Sequence, residues 1–111
     1  MEEDCIFCKI IKGEIPSTVV YEDDNVIAFK DVQPIAPTHI LVVPKTHVVN
    51  IMEVEDTKML ADLHKGVKEV AKIMGLDEKG FRVITNVGED AGQAVMHLHI
   101  HVVGGAKLPT R

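Results

Sequence analysis

Residues 97–103 read HLHIHVV, with His97, His99 and His101 at every second position and Leu98, Ile100 and Val102 between them. The chain has six histidines, so half of them lie in this one stretch. Side chains on an extended strand alternate between faces, which puts the three imidazoles on one face and the aliphatic residues in the core. Neighbouring histidines are then roughly 6.7 Å apart at Cα, and the outer two about 13 Å. Metal bonds to imidazole nitrogen are only about 2.0–2.1 Å long, so two neighbours can converge on one ion while at least one imidazole is left for other work. The plain alternative is a polar row on the solvent face of a sheet. It suits any single histidine, but it fits three in register beside the polar loop GEDAGQ poorly.

Closely spaced imidazoles serve metal coordination or nucleophilic attack with acid and base help. Neutral imidazole is a good nucleophile near neutral pH, and phosphorus is a natural electrophile for it, because the phosphoramidate formed is later cleaved by water. His99, with an imidazole on either side, is best placed to attack, and the loop before it can offer backbone N–H groups to phosphate oxygens.

A second constellation begins at Cys5-x-x-Cys8. Two cysteines supply half of a closed tetrahedral zinc site, and His47 in PKTH and His97 are the favoured partners. Buried cysteines packing as small hydrophobes, or a redox dithiol, are the alternatives; no βαβ pattern surrounds the motif to support the dithiol. His39, opening the strand THILVVP, is either a satisfied core residue or a group that orients a catalytic imidazole. Asp31 is a turn residue or a carboxylate for ribose hydroxyls, and Asn86 a strand-end polar residue or a phosphate donor. His64, at the edge of an apolar helical stripe, reads as structural.

These residues need a scaffold. CIFCKIIKGEIP has helical spacing and stops at Gly13 and Pro16, giving a short helix. STVVYEDDNVIAFKD reads as two strands around a turn at Asp23, Asp24 and Asn25, and THILVVP as a buried strand. Met59, Leu60, Leu63, Val67, Val70 and Met74 recur at helical spacing from about Asp56 to Met74, with Gly75 as the stop. GFRVITNV and VMHLHIHVV complete the strands. The expected architecture is α+β, an antiparallel sheet of about five strands with one long and one short helix, in a single domain over residues 1–111.

Composition narrows the partners. Hydrophobic residues make up 46 % and charged residues 26 %, which suits a folded globular chain. A formal charge of −5 supplies no attractive field for nucleic acid or an anionic membrane. The acidic opening MEED is unlike a secretory leader, and the apolar runs are too short to span a bilayer, so a cytoplasmic protein is expected.

HLHIHVV fits the pattern His-φ-His-φ-His-φ-φ, where φ is apolar. With CIFCKIIKGEIPS, VIAFKDVQPIAPTHILVVPKTH and NVGEDAGQAVMHLHIHVVGG, the chain resembles the histidine triad (HIT) family, in the branch of small nucleotide-binding hydrolases. The resemblance implies an antiparallel sheet with a helix, paired as a homodimer, and a two-step reaction at the α-phosphorus of a purine nucleoside phosphoramidate or similar nucleotide. His99 matches the nucleophile, His101 the residue that binds phosphate and assists proton transfer, and His39 and His97 the supporting histidines. Asp31 matches the ribose-binding carboxylate. Ile6, Phe7, Ile10, Phe29 and Val32 match the apolar cleft for the base, with Asn86, Gln93 and Val95 among the nucleotide-binding positions. Bacterial members with Cys-x-x-Cys are similar in carrying zinc on residues matching Cys5, Cys8, His47 and His97. One departure is Ala94, where the eukaryotic phosphoramidase branch has a serine near the leaving group; the tail GGAKLPTR also lacks the aromatic residue that some members use. The expected function is a hydrolase or transferase working through a nucleotidyl-histidine. A non-catalytic purine-nucleotide-binding regulator, a dinucleoside polyphosphate hydrolase and a metalloenzyme with a catalytic ion are the competing readings.

Overall fold

A computed structural model describes residues 4–109; residues 1–3 of the acidic opening and 110–111 of the tail lie outside the described residues. Cys5 caps the first helix, α1 (Ile6–Ile11), its sulfur accepting from the backbone N–H of Cys8 at 3.3 Å. Strands β1 (Val19–Glu22) and β2 (Val26–Lys30) form the expected hairpin. Its turn is held by Asp23, whose Oδ1 accepts from the N–H groups of Asn25 at 2.8 Å and Val26 at 2.9 Å, the usual reason for aspartate at a turn. Strand β3 (Thr38–Pro44) is followed by helix α2 (Thr57–Ile73), capped by Asp56 before it and Met74 after it, with Gly75 beyond at φ +70°. Strands β4 (Arg82–Ile84) and β5 (Ile100–Gly104) complete one antiparallel sheet in the order β1-β2-β3-β5-β4. No helix among the described residues is long and apolar enough to cross a membrane.

The sheet separates two clusters. On one face Val26, Ala28, Ile40, Val42 and Val102 pack with Leu63, Val67, Val70 and Ala71 of α2. On the other, Ile27, Phe29, Leu41 and Val43 pack with Phe7 of α1. Strand alternation therefore sorts the chain: the residues facing α2 build the core, and those facing α1 build the floor of the site.

Two strands are shorter than their apolar patterns suggest. The stretch VMHLHIHVV pairs only from Ile100, opposite Val42, although β3 runs on to Pro44, because the segment before β5 turns to the loop that follows β3. There Leu98 N–H donates to the Val48 carbonyl at 2.7 Å, and the His97 ring takes the Pro44 carbonyl at 2.9 Å. Likewise β4 stops at Ile84, and the Thr85 hydroxyl donates to the His99 carbonyl at 2.9 Å in place of a ladder bond. The histidines nevertheless keep their alternation: Leu98, Ile100 and Val102 lie with the α2 core.

Gly66 sets the distance between α2 and the sheet. A Cβ there would lie 2.9 Å from Val42 Cγ1 and 3.2 Å from Val26 Cγ2, both on stiff, buried β-branched side chains. Gly66→Val should lower unfolding free energy by about 1–3 kcal/mol, read by urea denaturation, although valine is the better helix former.

Candidate active site

The histidines divide into a buried cysteine–histidine cluster and a cleft. Cys5 and Cys8, brought to one side of α1 by their spacing, meet His47 just beyond β3 and His97 just before β5. Cys5 Sγ lies 3.3 Å from His97 Nδ1, Cys8 Sγ 3.6 Å from the same atom, and Cys8 Sγ 3.3 Å from His47 Nδ1. The four ligand atoms lie within 4.8 Å of one another. Zinc–sulfur bonds of about 2.3 Å and zinc–nitrogen bonds of about 2.0–2.1 Å in a tetrahedron require sulfur–nitrogen edges of about 3.6 Å, close to those present. The Pro44 carbonyl can only accept, so Nε2 of His97 carries the hydrogen of the 2.9 Å bond and Nδ1 turns its lone pair to the sulfurs. Burial holds His97 below the usual imidazole range, which keeps that lone pair available. The donor set fits a four-coordinate metal, as its sequence spacing suggests.

The cleft, about 800 Å³, opens between α1, the end of β2 and the segment before β5. Ile6, Phe7, Ile10, Phe29, Asp31, Val32, Val95, His99 and His101 all line it. His99 and His97 are 7 % and 0 % exposed, so the reading of a wet polar row is wrong for both. His99 Nδ1 lies 2.7 Å from the His97 carbonyl and must donate to it. In the neutral ring Nε2 then keeps its lone pair.

His39 sits behind His101 and outside the cleft lining. The Ile35 N–H donates to His39 Nδ1 at 3.2 Å, so the remaining hydrogen of a neutral His39 is on Nε2. That nitrogen lies 2.8 Å from His101 Nδ1 and 3.4 Å from Asp31 Oδ2. His101 Nδ1 therefore accepts, and its own hydrogen lies on Nε2. Burial pushes His101 down to about 4, with His99 and His39 lowering it further and Asp31 opposing them. Asp31 also accepts from Gln33 N–H at 2.7 Å, and its carboxylate retains lone pairs for a ligand.

Two expected nucleotide contacts fall outside the cleft lining. Gln93 is buried, and its amide is committed to three backbone groups: Nε2 donates to the carbonyls of Val49 at 2.7 Å and Val95 at 3.0 Å, and Oε1 accepts from Gly88 N–H at 2.9 Å. It braces the loop instead of facing a ligand. Asn86, half-buried beyond β4, is likewise absent from the lining. His64 is exposed on α2 and belongs to neither histidine group. The cleft also uses residues not singled out in the sequence, including Leu41, Lys30 and the turn Ile15–Thr18. Leu41 had a usable signal: it shares strand parity with His39 and pairs with both Phe29 and His101.

An α+β sheet carrying histidines in this alternation, beside an apolar cleft, defines a class, and comparison with known proteins supplies the family. A HIT domain model matches residues 12–108, and the chain belongs to the HIT domain family. It is similar to an uncharacterized HIT-like protein of Synechococcus elongatus, 50 % identical over 110 residues that cover 97 % of this chain and 96 % of the other. It is also similar to a purine nucleoside phosphoramidase of Escherichia coli, 43 % identical over 110 residues covering 97 % and 92 %. Among solved structures, a HIT family hydrolase from Clostridium thermocellum superposes with a TM-score of 0.96 at 49 % identity, over 100 % of this chain and 98 % of that one.

The depressed His101 has a consequence for stability. Between pH 6.5 and about 4 the unfolded imidazole binds a proton that the native ring refuses, so stability falls as pH falls through that window. The slope is bounded by about 1.4 kcal/mol per pH unit for one proton and is reduced by the solvent that still reaches the ring. Urea unfolding across the window should show a flatter pH dependence for His101→Gln, with a residual slope from His97, which shifts in the same direction.

Proposed function

We propose that the protein is a nucleotide hydrolase or nucleotidyl transferase acting at the α-phosphorus of a purine nucleoside phosphoramidate or a related nucleotide, with His99 as nucleophile. The observation that carries this reading is the hydrogen bond from His99 Nδ1 to the His97 carbonyl at 2.7 Å, which in the neutral ring leaves the Nε2 lone pair free on a side chain lining the cleft. The phosphoramidase name of the Escherichia coli relative supports the reaction class.

In the first step the Nε2 lone pair forms a bond to phosphorus while the bond to the leaving group breaks. From a phosphoramidate protonated on nitrogen, the amine departs with that electron pair. Water then attacks the nucleotidyl-histidine: its oxygen bonds to phosphorus, the P–N electron pair returns to Nε2, and the proton lost by the water passes to solvent, so the monophosphate leaves with His99 restored. His101, held neutral, offers Nε2–H to the charge growing on the phosphate oxygens. His39 holds it in that tautomer, and His97 holds His99. Asp31 takes the ribose hydroxyls, and Ile6, Phe7, Ile10, Phe29 and Val32 enclose the purine. The ion proposed for Cys5, Cys8, His47 and His97 is zinc, in a structural role, since thiolate and imidazole ligands close its coordination shell. A homodimer is proposed as the working form; Val83, 52 % exposed on the edge strand β4, supports an apolar contact there.

Adenosine 5′-phosphoramidate and a diadenosine polyphosphate, each incubated with wild type and with His99→Ala, test the reaction. AMP should form preferentially from the first, with a quenchable nucleotidyl-protein, and the variant should lose about a thousandfold or more in rate. Equal turnover by the variant would remove His99 from the mechanism, and binding of nucleotide without turnover by wild type would favour a regulatory binding protein.

Ala94 lines the cleft without a hydroxyl. Ala94→Ser should raise kcat/KM for the phosphoramidate by up to about tenfold, corresponding to one hydrogen bond of roughly 0.5–1.5 kcal/mol, measured by AMP release.

A further inference from the structure

Helix α1 has only 6 residues, too few to persist on its own, so its position is set by what its side chains dock against. Cys5 and Cys8 dock on His47 and His97. Between them Phe7, 6 % exposed, inserts among the rings of the site. Its ring meets His99 at a centroid distance of 5.1 Å and an interplanar angle of 87°, His97 at 6.0 Å and 67°, and Phe29 at 5.4 Å and 70°. His99 thus has two restraints besides the His101 ring: the bond to the His97 carbonyl and the wall of Phe7. Both lead to the cysteine–histidine cluster, one through His97 itself and one through a residue between Cys5 and Cys8.

We propose that Phe7 is a positioning residue for His99, and that through it and the His97 carbonyl the Cys5–Cys8–His47–His97 cluster governs the orientation and tautomer of the nucleophile. The proposal rests on the reading of His99 given above. Zinc, when bound, supplies a fixed tie between α1 and the sheet. With α1 tied, Phe7 blocks rotation of the imidazole away from the His97 carbonyl, and Nδ1 keeps its hydrogen there. With α1 released, that wall recedes, and a ring turned from the carbonyl holds either tautomer, so Nε2 is protonated for part of the time. A residue serving only as a cleft wall would weaken nucleotide binding and leave the chemical step untouched.

The test compares protein carrying one equivalent of zinc with the same protein after chelation, both checked for folding by far-UV circular dichroism. Nitrogen-15 spectra of the His99 imidazole at one fixed pH report its tautomer, and rapid quench with adenosine 5′-phosphoramidate reports the nucleotidylation rate. The zinc form should show hydrogen on Nδ1 alone, and the chelated form a mixture of tautomers. Phe7→Leu with zinc retained keeps an apolar cleft wall and should show part of that mixture, with nucleotidylation slowed about tenfold or more. Ile10→Ala, on the same helix and cleft, should raise KM with that rate kept. An unchanged tautomer and rate in both chelated protein and Phe7→Leu would overturn the proposal, as would failure to take up zinc. If no protein turns over the phosphoramidate, the reaction reading fails while the tautomer spectra still decide the positioning; if chelation unfolds the chain, Phe7→Leu decides it.

Discussion

A buried carbonyl oxygen can only accept, and the main-chain oxygen of His97 accepts from Nδ1 of His99 at 2.7 Å. Leaving such a group unpaired costs about 1–3 kcal/mol, enough to decide between imidazole tautomers of similar energy. In the neutral ring this choice leaves the Nε2 lone pair at the cleft. It goes with the departure of the segment before β5 from the sheet ladder, where Leu98 N–H meets the Val48 carbonyl and the His97 ring meets the Pro44 carbonyl.

The cost of burying so many polar rings is met locally. Among the described residues no buried side-chain nitrogen or oxygen lacks a partner, and the histidines find theirs in main-chain groups, cysteine sulfurs, one another and Asp31. The apolar load is carried on the opposite face, where α2 approaches closely over Gly66. The polar face is thereby relieved of building the main core, and its side chains can be arranged for a ligand. This division follows from the period-two alternation of the strands and is the physical reason that one short motif can serve stability and chemistry together.

How much of this is legible in the sequence depends on what encodes it. The long helix, with its Asp56 cap and Gly75 stop, and the β1–β2 turn at Asp23 are set by local rules and read within a residue or two. The cysteine–histidine cluster is also legible, because ligand chemistry restricts which residues can meet. The start of β5 was not: the apolar pattern from Val95 continues unbroken, while the segment before Ile100 is drawn to the loop after β3, where Leu98 N–H meets the Val48 carbonyl. Gln93 shows a related difficulty. A polar residue beside a glycine loop suggests a ligand contact, but its three backbone partners are supplied by Gly88, Val49 and Val95, and only the folded chain shows that its amide is fully engaged. Leu41 lay within reach, since strand parity places it on the same face as His39, and the β3–β5 register then sets it beside His101.

Two groups of ligating side chains lie in this small site, and the positions of their hydrogens give them different chemistry. Cys5, Cys8, His47 and His97 converge within 4.8 Å, with His97 Nδ1 facing the sulfurs because Nε2 is bound to Pro44. Asp31, His39 and His101 converge to the same degree. There, however, the Ile35 N–H makes His39 Nδ1 an acceptor, so Nε2 carries a hydrogen directed at His101 across 2.8 Å. An ion entering that point would have to displace this hydrogen and set two N–H groups against each other at Ile35. Convergence alone makes the two clusters look alike. The first presents lone pairs to one point and suits a metal, whereas the second fills its point of convergence with a proton and suits the orientation of His101.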